Sequence, residues 1–403
     1  MTASRRSRSS PNEHKLRLLK PGWAFGLTFA AAVLAAGSTF YGLVVLLDYK
    51  EIDSTAKLDA KTLFDLVKLS FGVVAGAGAL VALVVAYRRQ RVDEAGAHRE
   101  ATRLHTERFS QAVDKLGSDS PAVRLGGVHA LAGLADDAPT QDLCQTCIDV
   151  LCAYLRLPFT PDPGDLPDPL PDGTSPTEER RDAHQDKKDR YRALREVRHT
   201  ILRLIGDHYR LPQGTHRSWQ GCDLDLTGVT IDGSMNFRGV VFSGSAVSFA
   251  TARFSGGAVS FSGAKFSGGA VNFIGARFSD TTVFFDTAAF SGGEVSFGGA
   301  VFSGSDVFFS DAAFSSGEVS FVSTTFSGGK VSFDEAAFSG SAVSFPIARY
   351  FGCEVSFDGA RFSGGEVSFS GATGPAPHAL LAAVGTPVPP TVTLPSYWIA
   401  PNP

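Results

Sequence analysis

From Phe242 to Phe369 an aromatic residue returns at alternating spacings of seven and five positions without a slip. Of these 22 positions, 21 are Phe and the other is Tyr350, a regularity that chance does not produce. Two residues before each aromatic sits a second apolar residue, and its type alternates. It is Val before the Phe that ends each seven-step (Val247, Val259, Val271 and onward to Val367). From Ala252 to Ala360 it is Ala before the aromatic that ends each five-step, with Thr324 the one exception. The unit is Ala-x-Phe-Ser-Gly-Gly-x-Val-Ser-Phe-x-x, twelve residues long.

Val-x-Phe and Ala-x-Phe are period-2 pairs, so both side chains face one way on short extended segments. The Gly-Gly and Ser-Gly steps between them supply turns. Repetition at constant spacing stacks identical residues in ladders along a solenoid, with the Phe and Val/Ala ladders inside. Each coil then hydrogen-bonds the next at about 4.8 Å, which makes a parallel β-helix. Phe254, Phe261, Phe266, Phe273, Phe278 and Phe285 are representative core positions. Leu224/Leu226, Val229/Ile231, Met235/Phe237 and Val240/Phe242 carry the pattern upstream at near-regular spacing.

A central large apolar residue with a small one two before it, every five residues, resembles the bacterial pentapeptide-repeat family. Ala264-Lys-Phe266-Ser-Gly and Val259-Ser-Phe261-Ser-Gly fit that five-residue face. The departure is two extra residues in every second unit, which widens one kind of corner. The resemblance implies a right-handed, four-sided coil, here of two twelve-residue units, so that residues 222 to 373 make about six coils. A coil of one such unit is the alternative, with little room for two Phe inside.

Two apolar runs near the start place the chain in a membrane. Neither Trp23 to Leu47 nor Leu69 to Tyr87 contains a charged residue. Each is long enough as a helix for a hydrocarbon core of about 30 Å. The first is too long for the apolar core of a signal peptide, and a second span follows soon after. Six basic residues precede the first run (Arg5, Arg6, Arg8, Lys15, Arg17, Lys20) and five follow the second (Arg88, Arg89, Arg91, Arg99, Arg103). The loop between holds four (Lys50, Lys57, Lys61, Lys68). The positive-inside rule puts both termini in the cytoplasm and the loop outside. Asp65 and Lys68 read as an interfacial ion pair. Gly72 and Gly76 make a small-residue face for packing within the hairpin or for a homodimer.

The middle of the chain is helical. Glu94 to Leu116 is one helix; Ser120 and Pro121 open a second, which Asp136 and Asp137 end; Thr140 caps a third, Gln141 to about Leu157. The second and third resemble a HEAT-type hairpin, which must pack on neighbouring helices to bury its face. Seven prolines between Pro158 and Pro176 mark a linker. A fourth helix starts between Glu178 and Tyr191 and ends near Tyr209. The divisions are thus a basic cytoplasmic arm (1–22), a two-span α-helical membrane hairpin (23–87, spans 23–47 and 69–87) and a small helical HEAT-like region (88–157). A Pro/Asp-rich linker (158–190), a helix and entry to the solenoid (191–220), the solenoid (221–373) and a Pro-rich tail (374–403) follow. The tail is expected to fold over the last coil, whose strand edges are otherwise unpaired.

The order of parts also resembles membrane-anchored pentapeptide-repeat proteins of actinobacterial type, including Glu107 to Leu116 and the Arg-Leu-Gly-Gly-Val segment Arg124 to Val128. That resemblance implies no common biochemical activity. The residues add none: no phosphate loop, nucleophile elbow or paired carboxylates appear, so no catalytic, cofactor or metal residue is assigned. Cys144, Cys147 and Cys152 lean to one side of the third helix without the matched ligands a zinc site needs, and read as small buried thiols. Five cysteines in 403 residues fit a reducing compartment.

The reading is a membrane-tethered cytoplasmic scaffold that presents its rod to an unidentified cytoplasmic protein. The alternative is a DNA-mimicking regulator of a topoisomerase or another DNA-binding protein. Residues 221 to 373 hold 14 Asp/Glu against 7 Lys/Arg. That is too little charge for DNA, which carries one negative charge per about 1.7 Å. The chain's overall net charge of −4 argues against direct nucleic-acid binding. Phe284 and Phe308 occupy the x of Val-x-Phe and should point outward. Two of the twelve-residue units separate them, so on a coil of that length they stack, and they are the candidate partner-binding pair.

Overall fold

In the computed structural model, residues 33–35, 37–42, 45, 60–171 and 174–399 are described. The chain divides into two compact units, Met1–Arg99 and Glu100–Pro403. In the first unit, the described residues of the run 23–47 are helical; the remainder of that run and the loop as far as residue 59 lie outside the described residues. Helix α1 runs unbroken over Ala60–Leu116. The sequence suggests a span and then a separate helix, but no proline interrupts this stretch and the backbone ladder continues. Among the described residues α1 is the one helix long and apolar enough to cross a membrane, its apolar part opening at Val67. Phe71, Leu80 and Leu83 there are about two-thirds exposed. Lys68 holds its ammonium 5.2 Å over the Phe64 ring, and no ion pair to Asp65 forms among the described residues. A Cβ added at Gly72 or Gly76 would meet nothing within 4 Å, so that face has no partner among the described residues.

The second unit opens with the end of α1, against which α2 (Pro121–Asp136) packs closely: a Cβ on Gly127 would lie 2.6 Å from the Leu116 amide nitrogen. Proline at its first turn starts α2, while the Ser120 side chain makes no cap hydrogen bond. Helix α3 (Gln141–Arg156) is capped as expected, Thr140 Oγ1 accepting from the Leu143 amide. Helix α4 covers Glu178–Arg210, so 178–190 is helix and not linker. The Thr177 hydroxyl caps it, Glu178 and Glu179 favour its first turn, and its charged run is a good helix former. Val128, Leu131, Ile148, Leu151, Val197 and Ile201 are buried where these helices meet.

The solenoid follows with parallel pairing throughout, and each coil takes two of the twelve-residue units, as in Phe266↔Phe290 and Val283↔Val307. Three sheets run along it. The expected four faces become three sheets because two of them fuse. In the first sheet single strands such as Lys265–Asn272, Ala289–Ser296 and Arg361–Ser368 carry both a Phe and a Val position across a bulge. In the other half of each coil the same kind of segment breaks into two strands on different sheets, as in Arg253–Ser255 and Ala258–Ser260. The local sequences are nearly identical, Arg-Phe-Ser-Gly-Gly-Ala-Val-Ser broken and Arg-Phe-Ser-Gly-Gly-Glu-Val-Ser continuous. The difference lies in whether the first residue of the Gly-Gly pair turns left-handed. At the broken corner it does, at Gly256, Asp280, Gly304, Gly328 and Gly352, and Gly257 and Gly329 after it do so as well. At the continuous one only the second does, at Gly269, Gly293, Gly317 and Gly365.

Inside, the Phe rings form parallel columns. Centroids are 4.5 Å apart for Phe254–Phe278, 4.7 Å for Phe266–Phe290 and 5.0 Å for Phe261–Phe285, each pair within 4° of coplanar. Neighbouring columns meet edge to face, as in Phe273–Phe285 at 6.2 Å and 89°. Phe254, Phe261, Phe266, Phe273, Phe278 and Phe285 are all fully buried. Of the two departures from the repeat, Thr324 is satisfied, donating to Phe297 O at 2.8 Å. Tyr350 is not: its buried hydroxyl has no partner among the described residues, and burial pushes its pKa well up. Tyr350→Phe should therefore raise stability by about 1–3 kcal/mol, the desolvation penalty of an orphan hydroxyl. Urea unfolding of the two proteins side by side checks this, and a lower midpoint for the variant would contradict it.

Both ends are closed. At the start, α4 lies on the first coil, with Gly206 so close that a Cβ would sit 2.8 Å from Asn236 O. The Asp136 carboxylate is nearly buried here; it accepts from Trp219 Nε1 and from Arg217 Nε, each at 3.0 Å. His208 Nε2 lies 3.1 Å from the same carboxylate, and its ring stacks on Trp219 at 4.0 Å. At the finish, the tail supplies a seventh step to the first sheet, one more than the six coils that the repeat implies. Val392–Thr393 pairs with Val367–Ser368, and Trp398 Nε1 donates to Gly374 O at 3.0 Å with its ring edge-on to Phe369. The tail thus continues the ladder without continuing the Phe repeat.

Candidate interaction surface of the solenoid

Residues at the x of Val-x-Phe sit one position off the inward lattice, so their side chains leave the core. Phe284 and Phe308 pair in register on neighbouring strands, rings 5.5 Å apart and 16° from parallel. Both are half-buried, between Ser260 on one side and Ser332 on the other. They form an isolated aromatic step on an otherwise largely polar outer face, between serine rungs.

A second apolar feature lies at the turn that leads out of the first sheet, and sequence reasoning passed over it. Ile274, Gly298, Val322 and Pro346 are successive rungs there. Gly275 N donates to Gly298 O at 2.9 Å, Gly299 N to Val322 O at 2.8 Å and Ser323 N to Pro346 O at 2.9 Å. Ile274 is 47% exposed and Val322 38%, and both lean over the glycine between them: a Cβ there would lie 3.6 Å from Ile274 Cγ1 and 3.2 Å from Val322 Cγ1. Ile347 beside this row is about half exposed and holds a left-handed turn with φ of 57°, a conformation that costs a β-branched residue. The signal was present in Phe-Ile-Gly, Phe-Val-Ser and Phe-Pro-Ile, where other units place Ala, Ser, Asp or Gly after the Phe.

Like charges stack at two places on the outer faces. Glu294 and Glu318 are in register on the first sheet, Arg253 and Arg277 in register on the second. Like charges directly opposite are unfavourable in a sheet.

Of the three thiols on α3, Cys147 and Cys152 are buried, and burial pushes both up to about 12. Cys144 is half-buried and meets Cys222, at the solenoid's entry, with sulfurs 3.7 Å apart. Gln141 Nε2 donates to Cys222 Sγ at 3.7 Å. The thiol–thiol contact favours ionisation of Cys222 and disfavours that of Cys144. Among the described residues no group of His, Cys, Asp and Glu is arranged to hold a metal ion. No protein family, curated protein or solved structure matches the chain.

Proposed function

We propose that the chain is a membrane-tethered cytoplasmic scaffold, both termini on the cytoplasmic side, whose solenoid binds another protein along its outer ladders. A β-solenoid is a repeat architecture suited to protein interaction and typically non-catalytic, since stacked coils give a long, rigid surface in place of a concave site. The basic residues flanking the two apolar runs and the apolar helix α1 support the tether. The observation that carries the reading is the apolar row in which Ile274 and Val322 are exposed across the buried Gly298, with half-buried Pro346 next to Val322. A protein partner would desolvate it, and water alone gives no reason for it. Phe284 and Phe308 supply a second anchor of the aromatic type that dominates interface energetics. The basic rungs Arg253 and Arg277 favour this reading over DNA mimicry, which needs one sign of charge on every face.

A photocrosslinking residue placed at Ile274 in the full chain, in its own membrane, tests the proposal. It should yield a discrete protein adduct that the double variant Phe284→Ser/Phe308→Ser diminishes severalfold or that Ile274→Ser/Val322→Ser abolishes in the parallel experiment at Phe284. A crosslinker at Asp286, off both rows, is the control. Equal adducts from all three positions, or none from any, would refute it.

A further inference from the structure

Among the helices of the second unit, away from the solenoid's outer ladders, lies a cleft of about 460 Å³. Its walls are apolar, formed chiefly by Val113 and Leu116 of α1, Val150 of α3, Leu157, Phe159 and Leu194 of α4. That volume is within the range of small-molecule sites, about 300–1,000 Å³. Three polar side chains break the apolar lining, Arg124, Tyr154 and Arg198.

Arg198 is 6% exposed, a burial that a guanidinium rarely tolerates without an anion beside it. Its Nη2 donates to Leu155 O at 2.6 Å and Thr230 O at 2.8 Å, and its face lies 4.7 Å over the Phe159 ring. Those contacts tie α3 to the solenoid and explain why the side chain is held where it is. They leave the positive charge without a carboxylate and the remaining three N–H groups without an acceptor among the described residues. Arg124 is similar: it donates from Nε to Ser118 O and from Nη1 to the Tyr154 hydroxyl at 3.5 Å. Neither arginine has an ion-pair partner among the described residues. The Tyr154 O–H in turn donates to no group among the described residues. Unused donors and two unneutralised charges therefore converge on one apolar cleft.

We infer that this cleft binds a small amphipathic carboxylate. Its head accepts from Arg124, Tyr154 and Arg198, and its alkyl chain lies against Val113, Leu116 and Val150. A carboxylate satisfies the fork of a guanidinium and neutralises the buried charge, which a neutral head cannot do. The alkyl chain gains from the apolar wall, which a small inorganic anion cannot exploit.

The test uses the full chain in amphipol, with radiolabelled decanoate in equilibrium dialysis against protein-free amphipol. Saturable binding of one decanoate per chain is expected, with decanol displacing it at least tenfold less effectively. Arg198→Met should abolish binding. Because that residue also ties two elements together, Arg124→Gln/Tyr154→Phe is the second variant. It should weaken binding at least fivefold with an unchanged thermal midpoint. Absence of saturable binding, equal displacement by decanol, or wild-type affinity in the double variant would each overturn the assignment.

Discussion

Phe309→Ala should destabilise the solenoid by about 3–5 kcal/mol, the cost of a large aromatic-to-alanine truncation in a core that cannot collapse around the gap. Phe309 is fully buried and stacks at 4.8 Å on Phe285 in the preceding coil and on Phe333 in the next. It is also edge-on to Phe297 and Phe321 at 6.2 and 5.7 Å. Every neighbour is itself fixed by the same contacts one coil further along, so no side chain is free to fill the space. Phe351→Ala is the matched control: that ring is about half exposed, and its loss should change stability by less than about 0.5 kcal/mol. Urea-induced unfolding followed by circular dichroism separates the two. A Phe309→Ala loss below about 1 kcal/mol would show that the columns do not act as a packed core.

Asp136→Ala should be nearly as damaging, about 3–5 kcal/mol, through a different cause. The alanine removes the one acceptor shared by Trp219 Nε1 and Arg217 Nε and leaves His208 Nε2 facing an empty site. Trp219 and His208 are buried, so water does not readily replace the carboxylate. Asp136→Asn keeps an acceptor for the indole and should lose roughly half as much. Because this carboxylate joins the helical layer to the solenoid's entry, the alanine variant should also become sensitive to limited proteolysis between Leu211 and Cys222. Intact resistance there, together with an unchanged melting curve, would rule out the junction role.

The solenoid was legible because its inward positions are written in the same residue types at the same spacing for more than a hundred residues. Sheet count and turn count were less so, for separate reasons. The fused face depends on whether the first residue of a Gly-Gly pair turns left-handed, and two adjacent glycines do not say whether it does. Units with a single glycine do carry the information: Gly304 and Gly352 come first at broken corners and Gly317 comes second at a continuous one. Gly340 departs from this, lying in an unbroken strand with neither residue of its pair left-handed. The last turn was hidden because the tail joins one position out of step with the repeat, Val367↔Val392, and without a Phe. Asp136 read only as the end of a helix, since its partners stand 72 to 83 positions away with nothing periodic to link them. In the candidate surface, Phe284 and Phe308 were visible as breaks in a serine lattice. Ile274 and Val322 were equally visible, yet their alignment is apparent only once the length of the coil is fixed. The arginine-lined cleft could not be read at all, because its residues come from four segments that only packing brings together.

The alternation of broken and continuous corners bears on how such a gene can change length. Near-identical repeats invite slippage during replication, and the twelve-residue unit is the shortest that can be copied or lost. Loss of one unit would keep every Phe on a column but move each downstream segment into the opposite half of its coil. Ser316, which now precedes Gly317, would then have to take the left-handed turn, and the corner formed by Gly304 and Ser305 would have to run straight. Loss or gain of two units leaves every corner with its own residues. Heritable variation in the length of this rod is therefore expected in whole coils, so that related chains should differ by an even number of repeats and seldom by an odd one.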